Sequence, residues 1–409
     1  MKKILFVFFL LLGSAISIVF YQFPSLPSSL ASDEVAFARL ALSLEHASYT
    51  PYSPLATGHT TLYFYLILLS FKLFGITSFA LRFPSALFAI GSTALMYVLI
   101  HQIIEPKKNK ESYLVPFLIT MAFFTSHWFL TFARYSFEAT FLLFLELTTV
   151  ISLFSLWKKP RIITAVLVGV FTGLTFNSYT PGRLFAIFII FVILFLFIKT
   201  SKLYFRKIYI LAGILSIICM LPLSFYFFSY PDIRVQQLMF ATDPNMTVVQ
   251  KISSGFENII KIAGMFFFRG DMNGRHNYPG KPALNPLLFM FFISGFFLAI
   301  RNISNKKNLF MIGLFIISLL PSLLTYPWEN PSMLRTIGTL IPIFVFCSFT
   351  LQFMLKNIKI PVSILKIIIS ICILISCIYE LRTYFIYQQV VFMDAFEEKQ
   401  KLENIIPSQ

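Results

Sequence analysis

Eleven stretches of roughly twenty predominantly apolar residues run along this chain, the length a helix needs to cross a hydrocarbon core about 30 Å thick. They lie near 4–22, 84–104, 113–132, 138–157, 162–178, 184–198, 208–228, 286–300, 309–325, 336–355 and 361–379. A backbone in lipid must satisfy its own polar groups, so the expected fold is an all-α polytopic membrane protein. With 57% hydrophobic residues, 12% charged and 51 Phe, a soluble or disordered chain is excluded.

The first stretch follows Lys2 and Lys3 and reaches the small residues Gly13, Ser14 and Ala15, as a signal peptide would. The apolar run continues through Ile16, Ile18, Val19 and Phe20, which favours a retained anchor. Cys219, Cys347, Cys372 and Cys377 all sit inside apolar runs and read as small core hydrophobes. The net charge of +16 is scattered in short clusters between spans, a pattern of membrane orientation rather than of nucleic-acid binding.

One further apolar run, Leu62 to Phe74, decides the sidedness of everything after it. If it does not cross, the inner side collects Lys2, Lys3, Lys107, Lys108, Lys110, Lys158, Lys159, Arg161, Lys199, Lys202, Arg206, Lys207, Arg301, Lys306, Lys307, Lys356 and Lys359, against only Glu105 and Glu111. If it crosses, most of those charges move outside, against the positive-inside bias. Residues 62–74 are therefore expected as a re-entrant or interfacial helix on the outer face. The amino terminus then lies inside and the carboxy terminus outside, in a plasma or inner membrane. Residues 1–379 form the membrane domain, with outer loops 21–83 and 229–285 as its working face, and 380–409 an outer tail.

The inner loops hold no phosphate-cradling glycine loop, Walker Lys or Rossmann fingerprint. The unusual polar residues fall outside. Ser32 is a plausible N-cap, and Asp33 and Glu34 then occupy a first helical turn, where unpaired N–H groups favour acids. Glu138 follows Arg134 at i, i+4 and is either a second acid of a site or that arginine's ion-pair partner. Glu146 falls within the fourth span, where an ionisable group is usually paired or neutral; helix-helix hydrogen bonding is the only role it suggests. Arg183 and Arg335 each begin a span on the outer side, as interfacial anchors or as phosphate ligands. His59 and His276 lack a close-spaced ligand motif, so a divalent metal is possible but not predicted, and no cofactor is certain. The run Ile259 to Phe268 is too short to span and is expected as a lid helix.

Asp33-Glu34-Val35-Ala36 after one amino-terminal span, then Gly58-His59-Thr60-Thr61-Leu62-Tyr63-Phe64-Tyr65-Leu66, then Lys72-Leu73-Phe74-Gly75 through Arg82-Phe83-Pro84-Ser85 form an ordered series. Ala133-Arg134-Tyr135-Ser136-Phe137-Glu138, Tyr179-Thr180-Pro181-Gly182-Arg183-Leu184, Arg275-His276-Asn277-Tyr278-Pro279-Gly280-Lys281-Pro282 and Met333-Leu334-Arg335-Thr336-Ile337-Gly338 continue it. The series resembles the C-fold membrane glycosyltransferases of family 39, which include protein O-mannosyltransferases and the lipid A aminoarabinose transferase. The resemblance covers about residues 1–340. Relatives commonly carry a charged residue and Pro where this chain has Gly58-His59-Thr60-Thr61, and some carry large soluble carboxy-terminal domains.

The resemblance implies transfer of a hexosyl or pentosyl group, with inversion, from a polyprenyl-phosphate donor to a lipid, glycan or protein hydroxyl on the outer face. Such a reaction needs a base for the acceptor hydroxyl and cations for the leaving phosphate. Asp33 is the candidate base, Glu34 its alternative, and Glu138 a further catalytic acid. His59, Arg134, Tyr179, Arg183, Arg275, His276 and Arg335 are the candidate substrate contacts, with Arg183 and Arg335 expected to share one outer cavity with Asp33. A glycan polymerase or ligase would share the outer-face site without needing an Asp-Glu pair directly after the first span. A transporter would show internal repeats or charges at mid-membrane, and only Glu146 lies at depth.

Overall fold

The structure, a computed structural model, describes residues 2–23, 25–104 and 113–406. The expected inner-loop residues Glu105, Lys107, Lys108, Lys110 and Glu111 lie outside the described residues, as do the side chains of Lys2 and Lys3. The described residues are mostly helical. Helix α1 (Lys2–Phe20) leads to α2 (Ser32–Ser43), then to a two-residue hairpin of β1 (Tyr52–Ser53) and β2 (His59–Thr60), and to α3 (Leu62–Phe74) and α4 (Ser78–Ile104). There follow α5 (Leu114–Thr125), α6 (His127–Ala133), α7 (Ala139–Lys158), α8 (Ile162–Phe176), α9 (Thr180–Lys199) and α10 (Leu203–Ser229). Then come α11 (Ile233–Leu238), α12 (Val248–Met265), α13 (Pro286–Arg301), α14 (Lys306–Leu323), α15 (Leu340–Asn357), α16 (Val362–Arg382), α17 (Gln388–Ala395) and α18 (Leu402–Ile405).

Each of the eleven expected segments is occupied by helix. Among the described residues, seven helices are long and apolar enough to cross a membrane, or eight if α5 and α6, bent by 60°, count as one span. Leu5–Phe20, Ile162–Phe176 and Pro286–Arg301 are apolar but shorter than the remainder, and so is Leu62–Phe74. The break between α5 and α6 falls at Ser126, whose hydroxyl accepts from Phe129 N and so starts a new helix inside one apolar run. Helix α16 does not stop at 379: it passes through a π-helical turn, Thr383–Tyr387, directly into α17.

Helix packing in lipid depends on close approach because apolar burial supplies no preference for a neighbour over a lipid tail. Gly169 and Gly173, one turn apart on α8, face α10, and a Cβ on Gly169 would come within 2.6 Å of Leu215 Cβ and 2.8 Å of Ala212 O. The GxxxG spacing thus sets this contact, and the sequence reading passed over it. At the other extreme α12 is strongly amphipathic. Asn258, Ile262 and Met265 are buried, while Val249, Ile252, Phe256, Ile259 and Ile260 are exposed on the other side. It begins at Val248, well before the expected start at Ile259, because Thr247 and Gln250 form a capping box. Asn258 Nδ2 donates to Leu323 O and Thr325 O, tying α12 over the end of α14.

Candidate active site

The Asp-Glu pair separates into two roles. Helix α2 starts at Ser32 with Ala31 as N-cap, so Ser32 is not the cap, and Glu34 at the third position reaches back to accept from Ala31 N at 3.2 Å. Glu34 is fully buried and also accepts from Arg82 Nε at 2.8 Å, Arg82 Nη2 at 2.7 Å and Ser136 N at 3.1 Å. Arg82 completes its own set on Pro27 O and Ser29 O. With its lone pairs filled and no exposure, Glu34 holds α2, α4 and the 134–138 turn together and cannot receive an acceptor proton. Arg82→Met leaves that carboxylate charged and unpaired in the core and is expected to cost about 3–5 kcal/mol. Thermal unfolding would read it, and the double change Arg82→Met with Glu34→Leu should recover much of the loss.

Asp33, one residue earlier, turns outward with its side chain half exposed. Its Oδ2 accepts from Arg275 Nη1 at 2.7 Å and lies 3.5 Å from the Tyr135 hydroxyl. Arg275 is steered by Ala395 O and by Glu397, whose neighbour Glu398 pairs its backbone with Leu30. The carboxy-terminal segment expected to be a tail therefore packs against the start of α2.

Around Phe137 a second set of groups converges. His59, Tyr135 and Tyr179 all pack on its ring, with centroids 6.1, 5.9 and 5.5 Å away. The hairpin positions His59: Gly58 has φ +90°, and a Cβ there would collide with the Tyr52 hydroxyl, while Thr60 Oγ1 donates to Ser178 O at 2.6 Å. His59 Nδ1 is 2.6 Å from Glu138 Oε1 and its Nε2 is 2.7 Å from Arg234 Nη1. A guanidinium only donates, so Nε2 is the acceptor and Nδ1 carries the proton given to Glu138. Burial, the largest influence, and Arg234 press the His59 pKa below its usual 6.5 against the opposing pull of Glu138. Glu138 Oε2 is buried without a hydrogen-bond partner among the described residues. Glu138 thus pairs with His59, and the i, i+4 pairing with Arg134 is not formed.

Arg134 and Arg183 are spent elsewhere. Arg134 is fully buried and donates to the carbonyls of Ile18, Val19, Tyr21, Gln22 and Leu26, with Nε on the Tyr384 hydroxyl. It satisfies the last carbonyls of α1 and their extension, which is capping of a helix end rather than contact with a substrate. Arg183 makes an ion pair with Asp232 and lies over the Phe227 ring. Asp232 in turn caps α11 through Val235 N and accepts from the Tyr52 hydroxyl. Of Arg183, Arg335 and Asp33, expected to share one cavity, only Arg335 lines the small cavity beside Arg234. That small cavity is lined by Tyr179, Thr180, Pro181, Arg234, Val235, Leu238, Met239, Pro321, Thr325 and Arg335.

Arg234 is the residue that sequence reasoning missed. Its guanidinium sits over Phe137 and Tyr179, at 6.0 and 5.8 Å, and it is close enough to Asp33 and Glu138 to feel both charges. Among the described residues it forms no ion pair, whereas Arg335 is paired with Glu329 and Arg275 with Asp33 and Glu397. The Pro231-Asp232 pair directly after α10 was the available signal, since Asp at that place starts a short helix that presents its second residue. His276 Nδ1 lies 3.2 Å from Asp271 Oδ2, which also accepts from Met333 N. Asp271 thus ties the 270–281 loop to the 333–338 segment, and His276 pairs with it from within the loop. Lys281 and Asn285 add a second tie through Glu380 of α16, which also accepts from His127 N. Among the described residues no group of three or more His, Cys, Asp or Glu is placed to hold a metal ion.

Residues 58–226 match the family described as dolichyl-phosphate-mannose-protein mannosyltransferase. The whole chain superimposes on ArnT from Cupriavidus metallidurans, solved bound to undecaprenyl phosphate, with a TM-score of 0.53 and 10% identity over 95% of this chain and 76% of that one. This is the C fold of the membrane glycosyltransferases. The oligosaccharyltransferase of Archaeoglobus fulgidus aligns over 95% of this chain and 56% of its own, with a TM-score of 0.58 and 12% identity. Comparison with curated proteins gave no match. The C fold accounts for the layout: His59, Glu138, Tyr179 and Arg183 lie within the matched family segment, while Asp33, Arg234, Arg275 and Arg335 come to the same end of the bundle from outside it.

Proposed function

We propose that this C-fold protein transfers a sugar from a polyprenyl-phosphate donor to a hydroxyl acceptor, at the end of the bundle where α2, α11 and the 270–281 loop meet. The observation that carries this reading is Arg234, a partly buried guanidinium on the cavity wall whose charge no carboxylate neutralises at ion-pair distance among the described residues. Asp33 and Glu138 act on this guanidinium only from beyond ion-pair distance, which leaves its donors open to an anion, and a phosphate suits the planar fork of Arg. Arg335 across the same cavity adds a second positive group, partly offset by Glu329. ArnT, with the same fold, binds undecaprenyl phosphate, which supports a lipid phosphate as the anion.

In this reading Asp33 takes the acceptor proton as the hydroxyl attacks the anomeric carbon, the sugar–phosphate bond breaks, and the lipid phosphate departs toward Arg234 and Arg335. Attack from the side opposite the phosphate inverts the anomeric centre. Arg275 holds the Asp33 carboxylate in place through Oδ2. Arg183 positions Arg234 indirectly by fixing Asp232 at the start of α11. The reaction faces the outside of a plasma or inner membrane, with the basic loop ends on the opposite side, in keeping with the positive-inside bias. Membranes incubated with a panel of polyprenyl-phosphate sugars should release the lipid phosphate from one of them. Release that requires a nucleotide sugar instead would defeat the proposal.

The neutral state of His59 sets the pH dependence. Its folded pKa is lowered, so between that value and about 6.5 the unfolded chain binds more protons, and stability falls as pH falls through this window. Protonated Nε2 would also face the Arg234 donor, so transfer should decline over the same acid range. His59→Asn removes the titration, and a flattened dependence of unfolding temperature on pH below about 6.5 checks the assignment.

A further inference from the structure

At the far end of the same bundle lies a second cavity that the transfer reaction does not use. It is about 580 Å³ and sits where the last turn of α13, the first turn of α14 and the last turns of α15 meet. It lies along the second half of α15, from Phe349 to Asn357, whereas Arg335 precedes the start of that helix at Leu340. Arg301 and Lys356 bring two cations to its wall, and Asn302, Gln352 and Asn357 add amide groups. Among the described residues no acidic one lines it. Leu298, Phe349 and Phe353, the last exposed, also line it.

Orientation of the helices requires cations at loop ends, but not that they converge with amides around a recess of this size. Cations and amide N–H groups are the donor set for a phosphate oxygen. The apolar wall beside them is what an acyl chain attached to that phosphate would meet. Basic recesses between membrane helices hold anionic headgroups in this manner. We infer that this cavity binds the phosphate headgroup of an anionic phospholipid, at the end of the bundle opposite Asp33. A free phosphate would share the cations but leave the apolar wall uncovered.

The test is native mass spectrometry of the purified full chain after exchange through vesicles of phosphatidylglycerol mixed with phosphatidylcholine. Phosphatidylglycerol should be retained selectively. Arg301→Gln and Lys356→Gln should each lower that retention roughly fivefold, the equivalent of about 1 kcal/mol per basic residue. Lys199→Gln, an exposed cation at the end of α9 outside the cavity, should leave it unchanged. Equal retention of the two lipids by the unaltered protein would overturn the inference, a result that does not depend on the variants folding. An equal loss in Lys199→Gln would overturn it in favour of a diffuse basic surface. Displacement of the lipid by millimolar inorganic phosphate would overturn the lipid assignment in favour of a free anion.

Discussion

Asp33→Asn should reduce sugar transfer by about 10²–10⁴-fold, the usual contribution of a positioned general base, while the protein remains folded. The change keeps the shape of the side chain and removes its capacity to accept the hydroxyl proton. Its structural cost is bounded by two small effects. As the second residue of α2, the carboxylate meets the positive end of the helix, worth about 0.3–1 kcal/mol. Its pair with Arg275 is half exposed on the Asp33 side, so its contribution is about 0–1 kcal/mol. A purely helix-stabilising Asp33 therefore predicts a slightly lower unfolding temperature with turnover intact. Undiminished release of the lipid phosphate by a folded Asp33→Asn protein would remove Asp33 from the reaction. The contrast with Glu34 sharpens the test, since replacing that buried acid disturbs folding through Arg82 and Ser136 before any effect on chemistry can be read.

The helical segments were legible because apolar runs of bilayer length leave the backbone little choice but helix. Their ends were less so. Ser126 interrupts an apolar run without altering its hydropathy, and the extension from α16 to α17 crosses polar residues that look like the start of a tail. At the site, the distinction between Asp33 and Glu34 was not available from two adjacent acids. It arises because one side of α2 faces Arg82 of α4, a contact 48 residues apart in sequence. Arg134, expected as a substrate contact or as the ion-pair partner of Glu138, is a fully buried cap on α1, as five carbonyls from 18 to 26 turn toward it. Pairing of Glu138 with His59 rather than Arg134 likewise depends on a hairpin 79 residues away. Long-range partners, more than residue type, decide which polar groups are structural.

That principle makes Arg234 the sharpest test of the donor site, because no carboxylate among the described residues pairs with it directly. Arg234→Lys keeps the charge on α11 but loses the planar fork, and an ammonium cannot hold His59 Nε2 and two phosphate oxygens in one plane. Donor use, read as kcat/KM for the polyprenyl-phosphate sugar, should fall by about 10²-fold, the scale seen when one positioned donor to a developing anion is removed. Part of any loss could come through His59, which Arg234 orients. His59→Asn separates the two, since it abolishes the histidine contact while leaving the guanidinium facing the cavity. If Arg234 serves the phosphate, Arg234→Lys should be much the more damaging of the pair. Arg183→Lys supplies the other comparison: it acts only through Asp232 and the placement of α11, so it should weaken donor use less than Arg234→Lys does. Equal activity of Arg234→Lys and the unaltered protein would mean that the lipid phosphate is held elsewhere, with the guanidinium serving only to set the His59 tautomer.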